Sequence, residues 1–453
     1  MVLSYMNFPP RSNYTEKINL GITSGDLKGI VQLFTPDQAI KMYEDGAIED
    51  LTEYLEDNEV WNSLPEEFTN MYKIDGKILG IAAGLPQPDL FARAIRTDWL
   101  DNLGLDMPET VDELYDVVKA FTLDDPNNTG KDDTWGMTTS GTWNMQDIFQ
   151  AFDARLDHVG GNGIAWNPNT GVWEDSMLKP GMVEALTYLA DMYKEGYLDE
   201  ELFTIGGTGM QDRMLSGRCG TTFYWYNHAA SSFPTGTKKN VPEAEYGIIM
   251  GLKGNIDKNL NQIGSAAAPY ALIHDTPQAK EMINAFVNIF FGDPVGHIQG
   301  QWGAIGQCIE FDGKEVTRLK YDDGFAPKPG IVEDVIPGLS RIEYPLVFQD
   351  DPEKTQENSD KYFAKQESID NALDSGLVYF LPENLKTPYS ETYSTLSADI
   401  NALFEEAIVK AITGELTPED AIENYRQQMQ SIGAQDILDA ANADLGVESN
   451  MEY

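Results

Sequence analysis

Ile95-Arg-Thr-Asp-Trp-Leu-Asp-Asn-Leu-Gly-Leu105 is the stretch on which the fold turns. Asp98-Trp99-Leu100 reads as the opening of a helix and Gly104 as its stop. After Pro108, Thr110 and Glu113 stand at the spacing of a capping box, which starts a second helix that runs toward Phe121 and ends in a polar loop. Outward from this stretch, short apolar runs alternate with amphipathic helical stretches along the whole chain, which favours an α/β architecture over an all-helical or all-β one. Residues 36–55 read as helical with a break at Gly46, and residues 184–194 as an amphipathic helix closed by Gly196. Residues 219–226 read as a buried strand, and 279–291 as a helix buried on most of its faces. Two late helices are expected over 390–412 and 418–432, and Gly433 ends the second. Asp-Gly pairs flanked by strand-like residues mark hairpins at 72–79 and 309–316. Residues 321–366, rich in Asp, Pro and Gly, read as a long surface excursion.

At 453 residues the chain is long enough for two to four domains at roughly 100–200 residues each. Apolar residues at 42% and charged ones at 23% are ordinary globular usage, so wholesale disorder is excluded. Asp and Glu number 74 against 31 Lys and Arg, and the resulting net charge of -43 repels phosphate backbones, which excludes nucleic acid as a partner. The two cysteines, Cys219 and Cys308, stand far apart and read as buried free thiols. No apolar run approaches the ~18 residues a membrane span needs. The first residues show neither a basic n-region nor an apolar h-region, so export is expected to depend on a segment not contained here.

The four histidines form no zinc spacing, and no phosphate loop or nucleophile elbow occurs. The run Gly206-Gly207-Thr208-Gly209 lacks dinucleotide-binding spacing and reads as a flexible loop. One loop does carry metal logic. Asp125, Asn127, Thr129 and Asp133 place oxygen-bearing side chains at positions 1, 3, 5 and 9, Gly130 falls at 6, and Lys131 at 7 offers its backbone carbonyl. That is calcium spacing, although Gly136 stands at position 12 where a bidentate Glu is usual. A plain Asp/Asn/Gly turn is the competing reading.

Aromatic residues make up 11% of the chain and gather where strands should give way to helices: Trp143 beside Asn144, Tyr224 and Trp225 beside Asn227, Trp302, and Tyr389 with Tyr393. Ligands of open α/β sheets lie beyond the carboxyl ends of the strands, where flat rings suit sugar faces. Trp225 is the first candidate, then Trp143 and Trp302, with the two asparagines as hydroxyl partners. Core packing competes for every one of these rings.

These residues resemble the extracellular solute-binding proteins of carbohydrate-uptake ABC transporters, particularly the long Gram-positive lipoprotein branch with a calcium loop. The resemblance rests on Tyr14–Leu20 running into Ser24-Gly-Asp26, on Tyr43–Thr52, Ile74–Gly80 and Ile95–Leu105, and on Pro108–Tyr115 leading to the calcium loop. It continues through Met192–Asp199, Leu215–Arg218 and Trp302–Gly306. It implies a periplasmic-binding-protein-like α/β fold of two lobes, joined by a hinge and closing on an inter-lobe ligand cleft. By similarity, lobe one comprises residues 1–90 and 269–317, and lobe two residues 91–268 and 318–453. Asp26 is implied as a further ligand contact, although Lys28-Gly29 stand where the family usually has Pro-Asp. Thr134, instead of an acid, follows position 9 of the metal loop.

The function implied is a monomeric, non-enzymatic cell-surface protein that captures an oligosaccharide and delivers it to the membrane subunits of an ABC transporter. Structural Ca2+ and a lipid anchor lying outside this sequence complete that expectation, because the family's lipobox cysteine and first strand have no counterpart before Tyr14. A secreted carbohydrate-active hydrolase is the rival reading, and it would need two carboxylates facing each other across the cleft, which no motif here supplies. A binder of peptides or other solutes on the same fold is the third.

Overall fold

The computed structural model describes residues 14–33, 36–82, 91–154, 163–167, 169–226, 228–256, 261–262, 269–292, 295, 298, 305–306, 309–319, 346–348, 352, 355–356, 378–379 and 391–453. The chain divides into two compact units, Met1–Pro86 with Gly264–Gln356, and Gln87–Ile263 with Glu357–Tyr453. Among the described residues no helix is long and apolar enough to cross a membrane.

In the first unit a strand contributed by the returning chain holds the sheet together. Pro269–Leu272 lies between Ile30–Gln32 and Ile81–Ala82, antiparallel to both, with Val31 opposite Ala271 and Ile81 opposite Tyr270. A central strand supplied from so far along the chain makes this unit discontinuous in sequence. Both Asp-Gly hairpins form, as Lys73–Ile74 with Lys77–Ile78 and as Ile309–Phe311 with Val316–Arg318. Leu346–Phe348 pairs parallel to Val316–Arg318, so the last segment of this unit extends to Gln356, where the sequence placed the boundary at 317. The stretch 36–55 breaks at Gly46 (φ 71°) as expected, into Pro36–Glu44 and Thr52–Leu55, with Ile48 bridging to Ile273 between them. One expectation is corrected. The Ala279–Val287 helix buries one side, Ile283, Phe286 and Val287, and leaves Lys280 and Glu281 exposed.

The second unit is built on four strands, Phe91–Arg96 (β1), Trp135–Met137 (β2), Cys219–Trp225 (β3) and Tyr246–Ile249 (β4), in the order β4-β1-β3-β2. β1 is antiparallel to β3 and β4, and β2 is parallel to β3. The Ile95–Leu105 stretch explains itself here. Its last strand residue, Arg96, forks onto Asp98 (Nε to Oδ1, 2.7 Å), donates from Nη1 to the Gly217 carbonyl (2.9 Å), and lies 4.6 Å from the centre of the Trp99 ring. The helix is Thr97–Leu103, and Gly104 ends it in the left-handed region at φ 66°. Trp99 is fully buried and meets Phe121 edge-on at 5.2 Å. Phe121 lies on the next helix, Val111–Leu123, whose start carries the complete capping box: Thr110 accepts from the Glu113 amide, and Glu113 accepts from the Thr110 amide. A cap of this kind stabilises a helix by about 1 kcal/mol.

The Glu391–Ile412, Pro418–Ser431 and Gln435–Asp444 helices share one core with the Pro180–Lys194 helix, centred on Leu186, Phe404, Tyr425 and Ile437. Asp175, buried beneath them, accepts from the phenols of Tyr425 (2.7 Å) and Tyr453 (2.6 Å), and its burial pushes the carboxyl upward from its ordinary pKa.

The glycine run expected to be a loop opens a helix instead, Gly206–Leu215. Its buried Met210 and Met214 fall one turn apart against a cluster containing Ala92, Ala94 and Tyr224, so tertiary packing overrides the low propensity of the glycines.

Candidate functional site

Because β2 and β3 are parallel, their carboxyl ends reach the same edge of the sheet, where antiparallel β1 begins. Residues paired directly across an antiparallel ladder share a face. Phe91 opposite Trp225, Arg93 opposite Phe223 and Ile95 opposite Thr221 therefore form one face, while Ala92 opposite Tyr224 belongs to the other. At the edge, the Phe91 and Trp225 rings lie 4.3 Å apart and the Phe91 and Phe223 rings 5.8 Å apart. Phe91 and Phe223 are buried and Trp225 is half-buried, which gives a layered aromatic edge with the indole outermost.

The chain leaving β2 folds over this edge. Thr138 donates to Asp199 Oδ2 (2.9 Å), and Gly141 at φ 101° turns the backbone into the short Thr142–Met145 helical turn that carries Trp143. Asn144 fastens the turn. Its side-chain oxygen accepts from the Ser140 amide (3.0 Å) and hydroxyl (2.6 Å), and its NH2 donates to the Phe223 carbonyl (2.8 Å). At 0% exposure it is a bracket between loop and strand, which corrects its expected role as a hydroxyl-facing group.

Tyr224 is likewise turned into the protein. It accepts from Gln211 Nε2 (2.8 Å) and packs against His228 and Phe233. The backbone of Trp143 reaches the Trp225 edge, since the neighbouring Asn144 is bonded to Phe223; the Trp143 side chain lies outside the described residues. Asn227, Trp302 and Tyr389 lie outside them as well, and Tyr393 belongs to the Glu391–Ile412 helix with its side chain also outside. Asp26 belongs to the first unit, exposed, in the turn after the Tyr14–Ser24 helix, where its amide meets the Ser24 hydroxyl at 3.4 Å.

Two residues at the edge went unread in the sequence. Phe91, partner of Trp225, is one. The other is Arg93, whose guanidinium sits beneath the aromatic layer and forks onto Asp147 (Nε to Oδ2 2.6 Å, Nη2 to Oδ1 2.8 Å). Its Nη1 faces Met137 Sδ at 3.0 Å and the Thr221 hydroxyl at 3.5 Å. Nothing in local spacing announces either residue, because both depend on a strand pairing with residues more than a hundred positions away. The expected buried strand is otherwise as read, with Cys219 fully buried at its start and its thiol pushed up to about 12 by that burial. Cys308 lies outside the described residues.

The metal loop joins the Val111–Leu123 helix to β2. Three of its residues take left-handed conformations, Asp125 (φ 50°), Asn128 (φ 52°) and Gly130 (φ 70°), and the loop closes on its first side chain. Asp125 Oδ1 accepts from the Thr129 amide (3.0 Å) and Oδ2 from the Gly130 amide (2.8 Å). The Thr129 hydroxyl stands 3.2 Å from Asn127 Oδ1, 3.4 Å from Asp133 Oδ1 and 3.5 Å from Asp125 Oδ1. Four side-chain oxygens, two of them from carboxylates, thus converge on a small volume, a donor set that suits a hard cation. Lys131 is exposed.

No side chain is possible at position 12. A Cβ on Gly136 would stand 2.1 Å from the Val118 carbonyl oxygen, because β2 packs directly on the preceding helix there. Among the described residues no group of three or more His, Cys, Asp or Glu side chains gathers in a way that could hold a metal. The loop's coordination would rest on its two carboxylates together with amide, hydroxyl and carbonyl oxygens.

The fold is the two-lobe α/β fold of periplasmic-binding-protein-like solute-binding proteins, and the chain belongs to the bacterial extracellular solute-binding proteins, whose family pattern matches residues 6–295. Among curated proteins, lipoprotein LipO of Bacillus subtilis (strain 168) is 30% identical over 227 residues, covering 47% of this chain and 42% of LipO. The polygalacturonan/rhamnogalacturonan-binding protein YtcQ of the same strain is 27% identical over 207 residues, covering 45% of this chain and 40% of YtcQ. The chain thus spans about two fifths of the length of these curated relatives.

Among solved structures, alginate-binding protein AlgQ2 without calcium ion superposes with a TM-score of 0.69 at 21% identity, over 94% of this chain and 87% of that one. The Streptococcus pneumoniae ABC-transporter substrate-binding protein FusA in complex with kestose superposes with a TM-score of 0.63 at 18% identity, over 95% and 90%.

Proposed function

We propose that this chain captures an oligosaccharide outside the cell and hands it, chemically unchanged, to the membrane subunits of an ABC transporter. The observation that carries this reading is the aromatic edge at the carboxyl ends of β2 and β3. There the half-buried Trp225 is backed by Phe91 at 4.3 Å and bordered by a loop rich in hydroxyl and amide groups. A rigid, half-buried ring at the carboxyl ends of strands suits stacking on the C–H face of a sugar. The names of YtcQ and FusA support the same ligand class, and LipO's supports a lipoprotein held at the cell surface. We further infer that the protein acts as a monomer and that the 125–133 loop binds Ca2+ through Asp125, Asn127, Thr129, Asp133 and the Lys131 carbonyl. The ion would offset the repulsion between the two carboxylates and stiffen the connection into β2.

The test is calorimetric titration of the full chain with a panel of oligosaccharides, with the recovered sugar analysed for cleavage. Binding with intact sugar is expected. Cleavage products would replace this reading by the hydrolase, and binding of peptides in place of sugars would replace it by the third reading.

A further inference from the structure

We propose that the oligosaccharide this site takes is uncharged, and that oligouronides are rejected. The inference rests on the sugar-binding reading above and concerns Arg93, the cation beneath the aromatic edge among the described residues. Among the described residues that build β1, β2, β3 and the elements over their edge (91–96, 135–154, 219–226 and 228–238) the cations are Arg93, Arg96 and Lys238; Arg96 is at the far end of β1, closed by Asp98 and the Gly217 carbonyl, and Lys238 ends the Phe233–Lys238 helix, which leaves Arg93 beneath the aromatic edge.

That guanidinium is not available to a ligand. Both arms of its fork are closed by Asp147, its remaining nitrogen is turned to Met137 and Thr221, and its side chain is 0% exposed. A carboxylate taken out of water needs a cation or several donors aimed at it. What the edge offers instead is a half-buried indole, a surface matched to the C–H face of a sugar. The field of the whole molecule works in the same direction, since a net charge of -43 disfavours the approach of a ligand with one negative charge per sugar.

The discriminating experiment compares tetragalacturonate with the same oligomer after its carboxylates have been reduced to the galactose form, so that only charge changes. It is run beside uncharged fructan, glucan, xylan and mannan tetrasaccharides and an alginate tetrasaccharide, on the full chain at several salt concentrations. We expect one or more uncharged oligomers to bind with a Kd indifferent to salt, and each uronide to bind at least tenfold more weakly than the best of them. The carboxyl-reduced oligomer should bind more tightly than its parent. A uronide that binds most tightly, with an affinity that falls as salt is added, overturns the inference and leaves oligosaccharide capture standing. Failure of every sugar, charged and uncharged alike, overturns both.

Discussion

Replacing Arg93 by methionine, Asp147 by leucine, and then both together tests how the second unit is held beneath its aromatic edge. The two side chains are 0% and 3% exposed and joined by two charge-assisted hydrogen bonds of 2.6 and 2.8 Å. Removing one partner strands a charge in a site without solvent, which typically costs ~3–5 kcal/mol. For a domain of this size each kcal/mol moves the melting temperature by about 2–4 °C, so each single variant should melt roughly 6–20 °C lower. The double variant leaves no buried charge and keeps the packing volume, so it should recover most of that loss and could exceed the wild type by ~1–4 kcal/mol. The assay is a double-mutant cycle read by calorimetry, with the second unit's transition tracked separately. The expected coupling energy is close to the sum of the two single costs. If the double variant instead loses the sum of the two singles, or if each single costs under ~1 kcal/mol, Arg93 and Asp147 do not form the desolvated pair described here.

The remaining expectations are more local. Trp225→Ala should weaken oligosaccharide binding about tenfold with little change in melting, as for a truncated stacking anchor worth ~1.4 kcal/mol or more; a large melting drop with unaltered affinity would falsify the stacking role. Chelator should lower the melting temperature of the wild type and leave Asp125→Ala unmoved, and identical insensitivity in both proteins refutes the calcium site. Glu113 is held below its ordinary pKa of 4.5 by the Glu109 and Thr110 amides, so its contribution is present above that value and fades as pH falls through the lower folded value. Glu113→Gln should therefore melt below the wild type at pH 7 and merge with it in acid; a gap independent of pH refutes the capping-box account. In a Cys308→Ser background, Cys219 should stay unreactive toward a disulfide thiol reagent until denaturant is added, because its thiol is buried with its pKa pushed up to about 12.

Features whose partners lie within a few residues could be read from the sequence, and those completed by distant pairing could not. The Thr110 to Glu113 cap, the Gly104 stop and both Asp-Gly hairpins involve neighbours in the chain, and all of them form. Asp98 shows the boundary between the two kinds. Its position suggested a helix opening, yet the carboxylate is committed to Arg96, whose other arm reaches the carbonyl of Gly217 far along the chain.

The same division runs through the candidate site. Trp225 could be placed at the end of a buried strand because an apolar run announces that strand. Phe91 could not, since the Phe91 to Trp225 register follows from a sheet order that local pattern does not encode. Asn144 was misread for the complementary reason: an amide beside a tryptophan looks like a sugar contact until a third element, here the Phe223 carbonyl, takes its donor.

The glycine run at 206–209 failed in the other direction. Its intrinsic preference is for a loop, and only the buried methionines facing Ala92 and Ala94 make a helix there the lower free-energy choice. Side chains whose bonding groups are already satisfied by distant parts of the fold are therefore poor candidates for ligand contact, whatever their neighbours in sequence suggest. By that criterion Asn144, Tyr224 and Arg93 drop from the proposed binding surface, and the proposal comes to rest on Trp225, the half-buried outermost ring among the described side chains of this edge.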